Sequence, residues 1–198
     1  MYEYDTLSPQ ARTELVQQRR QLGFPLHSPP HPFHYAQYYL ITAICYRHQP
    51  YINSTSRRQQ LLDLWLEASS SNPIEIQAWA ILPNHYHLLV DTEDLKHVGS
   101  VVRSIHGSTS YQWNHEDKVK GRKVWYCYGD RAIRSQRHYY TTLNYIHYNP
   151  VKHGWVQSPY DWSASSVKWY RQSRGQNWLR ELWVNYPVRD YGKGWDDL

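Results

Sequence analysis

Residues 77–91, QAWAILPNHYHLLVD, constrain this chain more than any other stretch, because they set two histidines two residues apart inside an apolar run. Successive side chains of a strand point to opposite faces, so His85 and His87 share one face while Tyr86 points to the other. Ile81 and Leu82 before the pair and Leu88, Leu89 and Val90 after it have the character of a strand buried in a sheet. Pro83-Asn84 supplies the turn. The stretch therefore predicts a hairpin with both imidazoles at its bend, where two neutral rings can hold one transition-metal or divalent ion and leave positions open for an amide, water or substrate. In a chain with twelve histidines, the same pair also suits ordinary hydrogen-bonded side chains, so the motif needs a second observation.

Residues 135–156, SQRHYYTTLNYIHYNPVKHGWV, provide it. Ser135 is an N-cap, and the run to Asn149 contains no glycine or proline. Tyr139, Leu143 and Ile146, at spacings of four and three, form an apolar stripe. Pro150 stops the helix, because the residue before a proline is pushed out of the α region. Tyr145 and Asn149 are four apart and lie one above the other, on a face away from the stripe. That face offers a hydroxyl and an amide oxygen together.

The LPN-His-Tyr-His element, followed some sixty residues later by YIHYNPVKHGWV, resembles the single-tyrosine HUH transposases, and among them the REP-associated tyrosine transposases. The resemblance spans roughly Phe33 to Tyr170. It implies an α+β fold, a ferredoxin-like or RRM-like HUH domain with an antiparallel sheet and packed helices. It further implies that Tyr145 is the nucleophile and that His85, His87 and Asn149 hold the metal. The activity implied is metal-dependent cleavage and rejoining of single-stranded DNA beside a hairpin, through a 5′-phosphotyrosine and a free 3′-hydroxyl. Insertion-sequence relatives work as dimers that exchange this helix, whereas the REP-associated kind implies a monomer with the tyrosine acting in cis.

The chemistry accounts for these residue types. A phosphodiester is anionic and repels nucleophiles, so a divalent cation on a non-bridging oxygen offsets charge that builds up in the transition state. Oxygen and imidazole ligands suit Mg²⁺ or Mn²⁺, although two histidines also suit Zn²⁺. A free tyrosine has a pKa near 10 and needs help losing its proton at neutral pH. No residue identifies itself as that base. No GxxxxGK[ST] phosphate loop points to nucleotide hydrolysis.

The ends of the chain divide off by composition. Residues 1–32 read as an N-terminal appendage, with a short polar helix over Ser8–Leu22 and a proline-rich connector, FPLHSPPHP. His27, His31 and His34 near that connector read as solvent-exposed side chains. Residues 33–170 correspond to the catalytic domain that the resemblance implies, and residues 171–198 read as an aromatic tail, either a strap over the domain or a flap near the site. Within the domain, Tyr38–Tyr46 predicts a strand, Ser56 caps a helix carrying Leu61, Leu62, Trp65 and Leu66, and Leu95 to about Trp113 predicts a helix weakened by Gly99 and Gly107. The order from Tyr38 is β-α-β-β-α-β-α, which suits an antiparallel sheet with helices packed on it.

Charge and aromatic content agree with a nucleic-acid partner. Lys and Arg number 22 against 17 acids, a formal charge of +5, and ten tryptophans and nineteen tyrosines offer surface for stacking unpaired bases. From Lys118 to Arg137, the cations Lys118, Lys120, Arg122, Lys123, Arg131, Arg134 and Arg137 face a single acid, Asp130, and form a candidate DNA-backbone track. Within that stretch WYCYGDRAIR has Gly129 where many relatives carry an aromatic. Two cysteines without a CxxC pair or an export signal suggest a reduced, cytoplasmic protein, and no apolar run is long enough for a membrane span. Two other readings remain at this point: a hairpin-binding protein of the same fold that does not cleave, and an unrelated zinc hydrolase with no need for Tyr145. An RNA-binding sheet of RRM type would require an RNP aromatic motif that the sequence lacks.

Overall fold

A computed structural model describes residues 37–195 together with residues 8–11, 13, 14 and 17. The elements in chain order are β1 (Tyr38–Cys45), α1 (Thr55–Ser71), β2 (Glu75–Ile81), β3 (His85–Asp91), α2 (Leu95–Glu116), β4 (Trp125–Ala132), α3 (Gln136–Lys152), α4 (Val167–Arg174) and α5 (Gln176–Asn185). Residues 9–11, 13, 14 and 17 are helical, within the helix expected over 8–22. The proline-rich connector and its histidines lie outside the described residues.

The four strands form one sheet in the order β2-β3-β1-β4, with every neighbouring pair antiparallel. This is the ferredoxin-like arrangement that the resemblance implies, and it agrees with the order of elements. Side-chain alternation divides the apolar residues between two cores. Ile41, Tyr86, Leu88 and Val90 pack with Trp65 of α1 and Val98, Val102, Ile105 and Trp113 of α2. Leu40, Ala78, Ala80 and Leu89 pack on the other face with Leu143, Tyr145 and Ile146 of α3, Tyr170 of α4, and Leu179 and Leu182 of α5. Two small residues of β2, Ala78 and Ala80, leave room for α3 to approach the sheet closely. Each large side chain so buried contributes about 1.5–3 kcal/mol, so both faces of the sheet are stabilised by packing.

Several local expectations are corrected. The N-cap of α1 is Ser54 rather than Ser56, its hydroxyl accepting from the Arg57 N–H at 3.1 Å. Helix α2 runs unbroken through both glycines; a Cβ on Gly99 would lie 3.0 Å from the Tyr128 hydroxyl, so this glycine has a packing reason, whereas Gly107 faces open space. Pro150 does not stop α3 but sits inside its last turn. The helix ends instead at Gly154 (φ +70°), where Trp155 N–H donates to the Pro150 carbonyl and Gly154 N–H to that of Val151, each at 2.9 Å. This pair of bonds is the Schellman closure, and it satisfies carbonyls that a proline stop would have left open. The face carrying Tyr145 and Asn149 is buried like the Leu143 stripe, because α3 is covered on both flanks. The boundary drawn at residue 170 falls inside α4, and the chain from there to Trp195 contributes Trp178, Trp183, Tyr186, Tyr191 and Trp195 to the α3-side core.

Candidate active site

The turn that presents the histidines is held from two sides. Cys45 N–H at the end of β1 donates to the Asn84 carbonyl, and Ile52 N–H to that of Pro83, both at 2.8 Å. His85 opens β3 directly after this turn. Its partner across the sheet is Ile44, while His87 lies opposite Thr42. Both rings face α3, with centroids 5.1 Å apart, and Tyr86 enters the opposite core.

Helix α3 brings its polar pair to these rings. Asn149 Oδ1 is 2.9 Å from His85 Nε2, and the Tyr145 hydroxyl is 3.4 Å from His87 Nε2. All four residues belong to one chain and are buried: His87, Tyr145 and Asn149 at 0% exposure and His85 at 2%. The structure thus gathers His85, His87, Tyr145 and Asn149 at one place.

The far nitrogens of the rings fix their orientation. His85 Nδ1 lies 2.8 Å from Asn84 Oδ1, and His87 Nδ1 lies 2.8 Å from Thr42 Oγ1. With the Asn84 oxygen accepting, Nδ1 of His85 carries the proton, and a neutral ring then turns the Nε2 lone pair toward the Asn149 oxygen. In this tautomer the two atoms suit a cation held between them. Their separation also fits an ion: two atoms each about 2.1 Å from it and roughly at right angles lie about 3 Å apart. Among the described residues no three His, Cys, Asp or Glu side chains converge as a metal site. The set offered is therefore two imidazoles and an amide oxygen, which fits an oxygen-preferring divalent ion better than the three or four His, Cys or acidic ligands usual for zinc.

Further side chains at this place did not stand out in the sequence. His153 stacks edge-on against His85 with ring centroids 4.8 Å apart, and Lys152 Nζ lies 5.3 Å from the Tyr145 ring centre. Their signal was the helical spacing from Tyr145 and Asn149, since 145, 149, 152 and 153 lie along one face. Thr42 carried none, because nothing local marks a strand residue as the partner of a histidine forty-five positions away. A third group comes from the end of the chain. Tyr191 and Trp195 pack edge-on against the Tyr145 ring at 5.5 and 5.7 Å, and Lys152 Nζ donates to the Gly192 carbonyl at 2.9 Å. The Tyr191 hydroxyl meets His138 Nε2 and Thr142 Oγ1, and burial pushes its pKa up to about 12. A Cβ on Gly192 (φ +78°) would collide with the Tyr145 ring. The tail is thus both strap and flap: it is packed into the α3-side core, and it roofs Tyr145.

The seven cations of the expected track flank β4 instead of clustering. Lys118, Lys120 and Lys123 are exposed between α2 and β4. Arg122 is held inward, with its guanidinium 2.6 Å from Asp117 Oδ2 and over the Tyr51 ring. Arg131 lies over the Trp195 ring at 3.6 Å, and Arg134 and Arg137 are exposed around the start of α3. The two groups stand at opposite ends of a strand roughly 25 Å long.

Comparison with known proteins agrees with this fold. Residues 33–149 match the family described as "Transposase IS200 like". A curated relative, the REP-associated tyrosine transposase of Escherichia coli (strain K12), is 32% identical over 125 residues, which cover 58% of this chain and 72% of the relative. A solved structure of a REP-associated tyrosine transposase bound to a REP hairpin superposes with a TM-score of 0.60 at 26% identity, covering 75% of this chain and 88% of that one. No described helix is long and apolar enough to cross a membrane. With its match over more than half its length, its ferredoxin-like sheet and its similarity to these transposases, the chain belongs to the IS200-like transposase family and resembles its REP-associated tyrosine branch.

Proposed function

We propose that this protein cuts and rejoins single-stranded DNA beside a hairpin, with Tyr145 as the nucleophile. The observation that carries this reading is the meeting of Tyr145 with His87 at 3.4 Å and of Asn149 with His85 at 2.9 Å on one buried face. In the proposed step the Tyr145 oxygen forms a bond to phosphorus as the bond to the 3′ oxygen breaks. The phenolic proton is lost, the 3′ oxygen leaves as a hydroxyl, and a 5′-phosphotyrosine remains. Because the linkage keeps the energy of the broken ester, attack by another 3′-hydroxyl reverses the step and rejoins strands without ATP.

His85, His87 and Asn149 would hold a divalent ion, Mg²⁺ or Mn²⁺. When bound, such an ion offsets charge on a non-bridging phosphate oxygen and orients the phosphate for in-line attack. Asn84 and Thr42 keep the two Nε2 atoms turned to the site. Lys152, beside the Tyr145 ring, favours the approach of an anion such as the phosphate. For a phosphate to reach Tyr145, Tyr191 and Trp195 must first move aside.

That roof is also the specific observation favouring a second reading, a hairpin-binding protein that does not cleave. An adduct assay separates the two. Full-length protein is mixed with hairpin oligonucleotides carrying single-stranded flanks, with Mn²⁺ or EDTA, and resolved on a denaturing gel. The expected result is a metal-dependent covalent band that disappears in Tyr145→Phe and His85→Ala. A band surviving in Tyr145→Phe assigns the nucleophile to another tyrosine, and tight binding with no band in any protein favours the non-cleaving reading.

A further inference from the structure

Just beyond the end of β1 the chain makes a tight turn that the site described above does not use. Tyr46–His48 is a single 3-10 turn in which Arg47 (φ 53°) and His48 (φ 54°) both adopt the left-handed region. Non-glycine residues pay for that conformation in strain, and two in succession persist only where the surroundings hold them. The hold is visible: Cys45 N–H donates to the Asn84 carbonyl at 2.8 Å, and Tyr46 N–H to the Val124 carbonyl at 2.7 Å. The turn is thereby tied on one side to the residue before His85 and on the other to the start of β4.

Four side chains collect there. The Tyr46 and Tyr126 rings lie 6.3 Å apart, and Lys123 Nζ is 4.8 Å from the first ring centre and 5.3 Å from the second. Arg47 lies 5.3 Å from the Tyr46 ring centre. Arg47 and Lys123 are exposed, and Tyr126 is 53% exposed although it is a large aromatic. Trp125 beside it enters the α1/α2 core, whereas Tyr126, at the bulge between β4 and the end of β1, stays open to solvent. The sheet register sets the distance: Tyr46 is two residues past Ile44, whose partner is His85, or roughly 7 Å along the chain.

Exposed aromatic faces interleaved with cations are the chemistry that receives single-stranded nucleic acid, since every base has a face to stack and every nucleotide a phosphate to pair. A folded acidic protein surface would use the cations but leave the Tyr126 face without a match. We propose that Tyr46, Arg47, Lys123 and Tyr126 form a stacking subsite for an unpaired base of the DNA strand next to the cleavage position, with Lys123 and Arg47 pairing its phosphates. The proposal rests on the reading of this protein as one that acts on single-stranded DNA.

The test is equilibrium binding of the full chain in EDTA, so that no cleavage intervenes, followed by fluorescence anisotropy. Three probes are used: a GC-rich hairpin with a thymidine extension, the same hairpin with an abasic extension, and the blunt hairpin. Tyr126→Ala is expected to weaken binding of the thymidine-extended probe by about tenfold and to leave the abasic and blunt probes unchanged, while Tyr126→Trp restores affinity. Lys123→Gln is expected to weaken both extended probes and to reduce the salt dependence of binding. An unchanged affinity of Tyr126→Ala for the thymidine extension, or an equal loss on the abasic one, overturns the subsite. Failure of the cleavage reading is seen separately: intact base-dependent binding in EDTA, with no covalent band in the Mn²⁺ adduct assay, keeps the subsite and rejects Tyr145 as nucleophile. Absence of binding to any probe rejects both.

Discussion

The two faces of the sheet surround the polar side chains of β3 differently. On the α1/α2 side the Tyr86 hydroxyl meets His106 Nε2 at 2.9 Å, Trp125 Nε1 donates to Thr109 Oγ1 at 2.9 Å, and Trp113 Nε1 to Gln60 Oε1 at 2.8 Å. On the α3 side His85 Nε2 faces an amide oxygen and His87 Nε2 a distant phenol. Paired donors and acceptors complete a core, whereas imidazole nitrogens and an amide oxygen gathered at one place are also groups that can hold a cation. A single strand, β3, serves both faces: Tyr86 completes one core, and His85 and His87 carry the ligand site proposed above on the other.

Neighbouring residues of β3 give the sharpest way to break this comparison. Tyr86→Ala opens a cavity in the finished core and should cost about 3–5 kcal/mol, read by urea unfolding. His85→Ala, one position away, should leave the protein folded yet abolish metal-dependent adduct formation. If His85→Ala unfolds the chain as readily as Tyr86→Ala, the α3 face is an ordinary core and the contrast fails.

A milder change sharpens the receiving side. Thr42→Val removes the partner of His87 Nδ1 without touching the proposed ligands, and should weaken Mn²⁺ binding by about 10–100-fold, measured by titration calorimetry. Unchanged affinity would mean that packing alone orients the ring.

Protonation tests both faces at once. Burial lowers the pKa of His106 to about 3, well below the ordinary value of 6.5. The unfolded chain therefore takes up a proton before the folded one does. The stabilising contribution is complete above about pH 6.5 and is lost as pH falls from there toward 3, with a slope of about 1.4 kcal/mol per pH unit. On the other face His147 is likewise lowered to about 3 by burial, and His138 to about 4 by burial and by Arg131 and Arg134. Unfolding free energy should thus decline steeply below neutrality, and His106→Gln should remove about a third of the slope. Equal slopes in wild type and variant would show that His106 is not held neutral.

The smallest effect on stability is expected at the roof. Gly192→Ala adds a methyl where the Tyr145 ring already stands, at a left-handed position that costs a non-glycine residue about 1–2 kcal/mol. The substitution should lift the strap while α3 keeps its place, so the covalent band should form faster than in wild type. A slower band would mean that the strap supports Tyr145 instead of only covering it.

The site was more legible in the sequence than the surroundings that control it. His85 and His87 could be placed on one face from strand alternation, and Tyr145 and Asn149 together from helical spacing, because both are short-range periodicities. Pro150 misled because a proline in the last turn of a helix sacrifices only one bond, and Gly154, two residues past the last helical residue, closes the end instead. Tyr191, Gly192 and Trp195 could not be assigned to the site, since a tail rich in aromatics packs equally well in many places until the shape it meets is known.

The chain by itself determined the β-α-β-β-α-β-α order, the sidedness of β3 and the pairing of a phenol with an amide on one helix, all consequences of local backbone geometry. Tertiary structure alone decided that α3 would lie across β2 and β3 with its polar face inward, that Thr42 and Asn84 would orient the imidazoles, and that the chain's last described turn would roof the tyrosine. These depend on contacts between residues tens of positions apart, fixed by which surfaces fit once the sheet has formed, and no local spacing encodes that fit.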